Sequence, residues 1–218
     1  MATAYQSKLP DPSNLLNILD ANNPKCTSGS GNLKDSITGL EWERITTVTD
    51  TVEDNITCFN MNGGYLQKTG DTRTFGQYYT CFYLWKPREA DNDQWRTLHR
   101  NSSDHIGIIQ YTGKSLGMYS NRNGQFRDSG YDISIEWQTL ILTGEGDTST
   151  SSTGTTTYYV NGVNVGTSDR VGCGTSLHRI GWSGQHPGYM SVMGSYDKLL
   201  DASEILELNK HLHNKIPK

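Results

Sequence analysis

The chain has 218 residues, with 19 Lys and Arg against 23 Asp and Glu, a formal net charge of −4, and 33% hydrophobic residues. Its cationic side chains are scattered, so no basic stripe exists to neutralise a phosphate backbone, and no apolar run reaches membrane length; this argues against nucleic acid and against a membrane span. Its 23 glycines, with plentiful Ser, Thr, Asn and Tyr, point to short strands joined by tight turns in an all-β domain.

Residues 1–13 read as a polar arm broken by Pro10 and Pro12. The arm is either loose or a clamp on a neighbour, and residues 14–218 are expected to form one domain. The opening stretch lacks the apolar segment of a secretory signal. It implies a protein that stays where it is made, cytoplasmic as synthesised, and is extracellular only if trimmed. Leu15, Leu16, Ile18 and Leu19 read as a first strand, closed by the turn residues Asp20 to Pro24. β-Branched sequence then runs from Ile45 to Met61, and Gly63-Gly64 reads as a turn feeding a strand through Tyr65 and Leu66.

The stretch from Tyr78 to Trp85 is dense in aromatic and β-branched residues and stops at Lys86-Pro87, which predicts a central strand covered on both faces. Further strands follow at Trp95 to Leu98, His105 to Tyr111 and Leu116 to Tyr119, with a hairpin turn at Asn121 to Gly124. Another strand is expected from Ile135 to Leu142, and a polar connector from Gly144 to Gly154. The clearest local signal is Thr155 to Thr167. Asn161-Gly162 suits a type I′ turn, which places Val160 opposite Val163 and Tyr158 opposite Val165 on an apolar face, with Thr157, Tyr159 and Asn164 on a polar one. A last strand is expected from Tyr189 to Tyr196. Asp201-Ala-Ser-Glu204 then has the form of a capping box, and Ile205, Leu208, Leu212 and Ile216 recur at helical intervals, so a helix over 202–213 lays an apolar side on the sandwich.

Cys26, Cys58, Cys81 and Cys173 are widely spaced, which disfavours a zinc site or a redox pair and leaves buried thiols or one disulfide open. Asn55-Ile-Thr57 and Asn101-Ser-Ser103 are glycosylation acceptors only on a secretory route. His211 and His213 stand two apart on a helix and face different ways, so neither they nor the isolated His99 and His178 make a ligand set; surface positions are expected for all four. Asp91 and Asp93 offer hard oxygen ligands close together and are weak calcium candidates, although oxygen-rich turns of this kind outnumber calcium sites. No other cofactor is implied.

Three stretches resemble the concanavalin A-like jelly roll, in particular its laminin-G-like branch: Leu84-Trp-Lys-Pro87; Trp137 with Tyr159-Val-Asn-Gly-Val163; and Pro187-Gly-Tyr-Met190 with Tyr196-Asp-Lys-Leu-Leu200 and Ala202-Ser-Glu-Ile205. The opening, Leu19-Asp-Ala-Asn-Asn-Pro-Lys25 with Leu33-Lys-Asp-Ser36, is similar to the start of such domains in phage virion proteins. The resemblance implies an antiparallel two-sheet sandwich with recognition on its rims or concave sheet, mostly without catalysis. Catalytic members carry Glu-x-Asp-x-x-Glu. Here Glu145-Gly-Asp147 is followed by Thr150 in place of the second Glu, so no enzyme is expected. Ser191 and Gly194-Ser195 depart from the family's last strand, which argues against its calcium site and suggests close packing there.

Aromatic rings stack on the C–H faces of sugars, and amides or imidazoles bond vicinal hydroxyls. On that ground Trp182, Gln185, His186 and Tyr189 are the first candidates for a glycan contact, against a bland alternative in which the loop merely covers the core. Trp95, Asp104, His105, Arg122 and Asn123 are candidates for a second rim, competing with turn and surface roles. Two functions follow. One is a non-catalytic glycan-binding or surface-recognition module with affinities of about 4 to 8 kcal/mol. The other is an assembly subunit, such as a virion surface or decoration protein, that meets copies of itself or a particle through its arm.

Overall fold

The computed structural model describes residues 9–26, 31–68, 77–89, 94–101, 104–110, 113–121, 124–146, 154–169 and 179–217. After a 3-10 turn, Pro12–Asn14, come β1 (Leu15–Asp20), β2 (Leu33–Lys34), β3 (Glu41–Glu53), β4 (Ile56–Lys68), β5 (Tyr78–Pro87), β6 (Arg96–Arg100) and β7 (Asp104–Ile109). They are followed by β8 (Ser115–Ser120), β9 (Gln125–Asp132), β10 (Gln138–Gly146), β11 (Gly154–Val160), β12 (Val163–Asp169), β13 (Arg179–Ile180), β14 (Gly188–Tyr196) and the helix α1 (Ala202–His213). The strand expected from Ile135 therefore begins three residues later.

The expected all-β jelly-roll architecture is present. One layer runs β12-β11-β10-β5-β14 with β1 on β14, and the other runs β4-β13-β6-β7-β8-β9 with β3 on β4. The layers are joined, because the first half of β4 pairs with β14 through Phe59 and Asn60 while its second half pairs with β13 through Leu66 and Gln67. At the far side Arg127 Nη1 on β9 stands 3.6 Å from Asp169 Oδ2 on β12.

β5 is buried on both faces, as its composition predicts. Tyr79, Cys81, Tyr83 and Trp85 enter the interlayer core with Leu140, Leu142, Tyr158, Leu66, Ile106 and Ile180. Phe82 and Leu84 point the other way, into a second core with Ile18, Ile141, Val192 and the helix residues Ile205, Leu208 and Leu212. This is the period of two carried through a strand with no solvated face. The interior is not purely apolar, since the buried aromatics bring polar tips that find partners. Tyr79 Oη bonds Thr156 Oγ1 at 3.0 Å, Tyr158 Oη bonds Ser168 Oγ at 2.8 Å, Trp85 Nε1 donates to Pro187 O at 2.8 Å, and Tyr83 Oη bonds His99 Nδ1. His99 is fully buried rather than on the surface.

Asn161 and Gly162 take φ of 50° and 81°, the positive values a type I′ turn requires. The tip is stitched to β10, with Thr139 N donating to Asn161 Oδ1 at 3.0 Å. A Cβ on Gly162 would lie 2.7 Å from Asn209 Nδ2 of α1, so the turn must be small on that side too. Val160 pairs with Val163 as expected, but a bulge then sets Tyr158 opposite Gly166 rather than Val165. Asn164 Oδ1 accepts from Gly166 N at 3.1 Å, which takes the local backbone out of the ladder. Val163, on the edge strand β12, is 63% exposed while Val160 is 5% exposed. Tyr159, expected on a polar face, is partly buried against the core beneath α1.

Gly63-Gly64 is also not a turn. It lies within β4, and the turn is Asp54-Asn55, whose φ values are 50° and 64°. Thr46 Oγ1 donates to Gly63 O at 2.6 Å, and a Cβ on Gly64 would come within 2.4 Å of Ile45 O. The glycines admit a close approach of β3. The close packing suggested at Gly194-Ser195 is provided by β1, where Asn17 Nδ2 donates to Ser195 Oγ at 2.6 Å. In the opening stretch Asp35 turns inward, Oδ1 accepting from Ile18 N at 3.2 Å and Ile37 N at 2.8 Å, so its motif residues latch β1. Cys26, Cys58 and Cys81 are buried thiols, not disulfides. Cys173 and His178 lie outside the described residues.

α1 has the predicted bounds and capping box. Asp201 Oδ1 accepts from Ser203 N at 2.8 Å and Glu204 N at 2.9 Å, and Glu204 Oε2 accepts from Asp201 N at 2.9 Å. Lys198 Nζ bridges Asp11 Oδ2 at 2.8 Å and Glu204 Oε1 at 2.6 Å, while Leu9 is buried in the core beneath α1. Residues 9 to 11 thus dock on their own chain. The two faces of α1 should respond differently. Leu208→Ala, at a fully buried position, is expected to cost about 2 to 5 kcal/mol in urea unfolding, and Leu206→Ala, at a position 62% exposed, less than about 0.5 kcal/mol.

Candidate functional site

Strand register sets four polar side chains in one row. Gln67 of β4 pairs with Arg179, Arg179 with Arg100 of β6, and Arg100 with His105 of β7. Their neighbours Leu66, Ile180, His99 and Ile106 are buried, so alternation turns the row to the outer face of this layer. The loop after β13 spans the same face. Gln185 N donates to Trp182 O at 2.8 Å, closing a tight turn, and Thr97 N on β6 donates to Gln185 O at 3.2 Å. His186 Nδ1 lies 3.2 Å from Gly64 O on β4.

Trp182 is partly buried within this arrangement. Arg100 Cζ lies 3.6 Å from its ring centroid and Arg179 Cζ 4.6 Å, with Tyr65 tilted against it at 5.7 Å. Arg179 Nε donates to Gln67 Oε1 at 3.0 Å, whereas among the described residues Arg100 Nε and Nη1 have no hydrogen-bond partner. Burial, then the positive Arg179, pulls the Arg100 guanidinium below its usual range, opposed by Asp104 and Tyr65. A cation on an indole contributes about 0.5 to 2 kcal/mol depending on desolvation, so Trp182 offsets part of that cost.

The structure brings the two predicted groups together at this loop. Thr97 Oγ1 donates to Gln185 Oε1 at 2.6 Å and lies 2.8 Å from His105 Nδ1. Thr97 has one hydroxyl hydrogen, so with Gln185 in this orientation His105 Nδ1 is the donor. Trp95 packs tilted against Tyr119 and edge-on to Phe126, with ring centroids 5.2 and 5.5 Å apart, and shares a narrow cleft with Arg88, Gly184 and His186. Asp104 and His105 are only 1% and 3% exposed, which takes them off the rim and makes them supports. Tyr189 lies apart from Trp182, lining a groove of about 360 Å³ with Glu53, Asn62, Lys86, Arg88 and Glu89. Lys86 Nζ bonds Asp54 Oδ2 at 2.7 Å and Glu53 Oε1 at 2.8 Å, and both bonds hold its ammonium above the ordinary lysine range.

Arg122, Asn123, Asp91 and Asp93 lie outside the described residues, as do Asp147 and Thr150. Among the described residues no three His, Cys, Asp or Glu side chains come together as a metal site. Asn101 of the second sequon is buried, and its Oδ1 accepts from Asp104 N at 2.5 Å. Sequence reading missed Arg100, Arg179, Tyr65 and Thr97. Each is next to an apolar strand residue or a core histidine, which gives its parity, but nothing local shows which strands lie side by side.

Neither a family model nor a curated protein sequence matches the chain. Solved structures do. The binding domain of botulinum neurotoxin DC in complex with rat synaptotagmin II matches with a TM-score of 0.66 at 13% identity, over 92% of this chain and 52% of that one. The same domain in complex with SialylT gives 0.62 at 16% identity, over 92% and 51%. The binding domain of Paraclostridial Mosquitocidal Protein 1 gives 0.60 at 16%, over 90% and 52%. The chain spans about half the length of the structures it matches, and the likeness is one of fold. Among the described residues no helix is long and apolar enough to cross a membrane.

His99 and His105 set a pH dependence. Burial, then Lys68 for His99 and Arg100 for His105, pushes both imidazoles down to about 3. Unfolded imidazoles titrate near 6.5, so below that pH the unfolded chain binds protons that the folded chain refuses. Stability is fully present above pH 6.5 and is lost as the pH falls toward 3. Calorimetric melting temperatures should hold steady from about pH 8 to 7 and fall between about 6.5 and 5, before most carboxylates titrate. His105→Gln, which retains a donor for Thr97, should make that fall shallower. A flat profile in wild type would contradict the assignment.

Proposed function

We propose that this chain is a non-catalytic recognition module of the concanavalin A-like, laminin-G-like kind, with residues 14–218 acting as one domain onto which residues 9 to 11 dock, and a glycan as its ligand. The observation that carries this reading is the presence of flat rings beside hydrogen-bonding groups at two separate places, one at each end of the segment from Trp182 to Tyr189. At one stand Trp182 and Tyr65 with Arg100, Arg179 and Gln67; at the other is the groove between Tyr189, Asn62 and the Lys86–Glu53 pair. Such a surface offers ring faces to sugar C–H groups and donors and acceptors to vicinal hydroxyls.

The similar solved structures support a binding role, being binding domains, one with synaptotagmin II and one with SialylT. Their low identity leaves the ligand class resting on the site itself. A hydrolytic role lacks a carrier in the sequence, where Thr150 replaces the second acid of Glu-x-Asp-x-x-Glu. The likeness of residues 19–36 to phage virion proteins supports display of such a module on a particle, and native mass spectrometry tests that assembly role. A strict monomer that meets no partner would count against it.

A glycan array, followed by titration of the positives, tests the main reading. Trp182→Ala and Tyr189→Ala bracket the loop, and at least one is expected to weaken binding tenfold or more, about 1.4 kcal/mol. Loss of the cation–π contacts in Trp182→Ala should lower the melting temperature by only a few degrees. Wild-type affinity in both variants would sink the proposed location, and an array without positives would sink the ligand class.

A further inference from the structure

We infer that the ligand of this site is acidic, with Arg100 and Arg179 holding a carboxylate or sulfate group of a charged saccharide beside Trp182. The inference rests on the glycan reading above and narrows it. Register sets the two arginines side by side on the outer face, and their distances to one indole ring place the guanidinium carbons at most about 8 Å apart, where like charges repel. In a chain of net charge −4 a carboxylate is the expected partner for such a pair. Several other cations have that partner, although the buried Arg96 bonds the carbonyl oxygens of Arg88 and Gly113 instead. Arg44 bonds Asp50 at 2.6 Å, Lys86 bonds Glu53 and Asp54, Lys198 bonds Asp11 and Glu204, and Lys215 bonds Asp20 at 2.9 Å.

At the loop, among the described residues, neither arginine has an ion-pair partner. Arg179 spends Nε on the neutral Gln67, Asp104 attracts Arg100 only through space, and Arg100 Nε and Nη1 find no acceptor. Buried donors without acceptors are costly, and the planar guanidinium fork matches the paired oxygens of a carboxylate or sulfate. An oxyanion accepting from both arginines would relieve their mutual repulsion, while Trp182 and Tyr65 supply flat surfaces for the ring carbons that carry it. His105, next in the row, is held neutral by burial. The site is therefore built for an isolated negative group rather than for a dense polyanion.

The test is calorimetric titration at low and physiological salt with a sialylated trisaccharide for the carboxylate, a lactose carrying a single sulfate ester for the sulfate, and the neutral positives of the array. At least one acidic saccharide should bind tenfold or more tightly than the neutral ones and weaken as salt rises; which one does so separates carboxylate from sulfate. Arg100→Gln and Arg179→Gln should each lower that affinity tenfold or more. Arg100→Lys, which keeps the charge but not the fork, should fall between wild type and Arg100→Gln, and melting temperatures establish that the variants are folded. If all positives are neutral and bind the folded arginine variants as they bind wild type, this inference fails while the glycan reading stands. If no saccharide binds at all, both fail.

Discussion

A strand whose side chains alternate between two apolar layers meets water on neither face, and β5 imposes that condition on everything around it. Tyr79, Cys81, Tyr83 and Trp85 require an opposing sheet, while Phe82 and Leu84 require a second cover, which α1 and β1 provide. Burying a large apolar side chain contributes about 1.5 to 3 kcal/mol, so several in succession make the helix part of the domain rather than an appendage. Lys198 strengthens the arrangement by tying residue 11 to the first turn of α1.

With the helix covering the outer side of one layer, the outer face of the other is left to carry polar chemistry. Its row of Gln67, Arg179, Arg100 and His105 follows from pairing across four strands. The loop after β13 returns across that row, anchored at Thr97 and at Gly64. These anchors make Gln185 and His186 supports of the loop as well as candidate contacts. The same anchors hold Trp182 against two cations, so its ring is positioned before any ligand arrives.

The histidines show how burial and function separate. His99 lies under the sheet, bonded to Tyr83, and His105 lies on the outer side but is covered by Thr97, Tyr119 and Arg100. Neither is in a position to exchange protons with a substrate near neutral pH. Both store a stability that acid removes. The arginines sit at the opposite extreme, charged, partly buried and crowded.

Local rules were enough for the elements whose chemistry is complete within a few residues. Asn161-Gly162, the capping box from Asp201 to Glu204, the 202–213 helix and the doubly covered stretch from Tyr78 were legible because turn geometry, capping and alternation depend on neighbours in the chain. Gly63-Gly64 misled because a glycine pair serves a turn or a close strand approach equally well, and only the position of Ile45 and Thr46 distinguishes them. The bulge beside Val165, the burial of His99 and Asp104, and the meeting of Arg100 with Arg179 were equally out of reach. They depend on which strands are neighbours, a property of pairing between segments far apart in sequence. Trp182 could be chosen as a candidate from its residue type and its loop; that it rests on two guanidiniums was decided by the tertiary structure, because only register across β4, β13 and β6 puts those charges in one place.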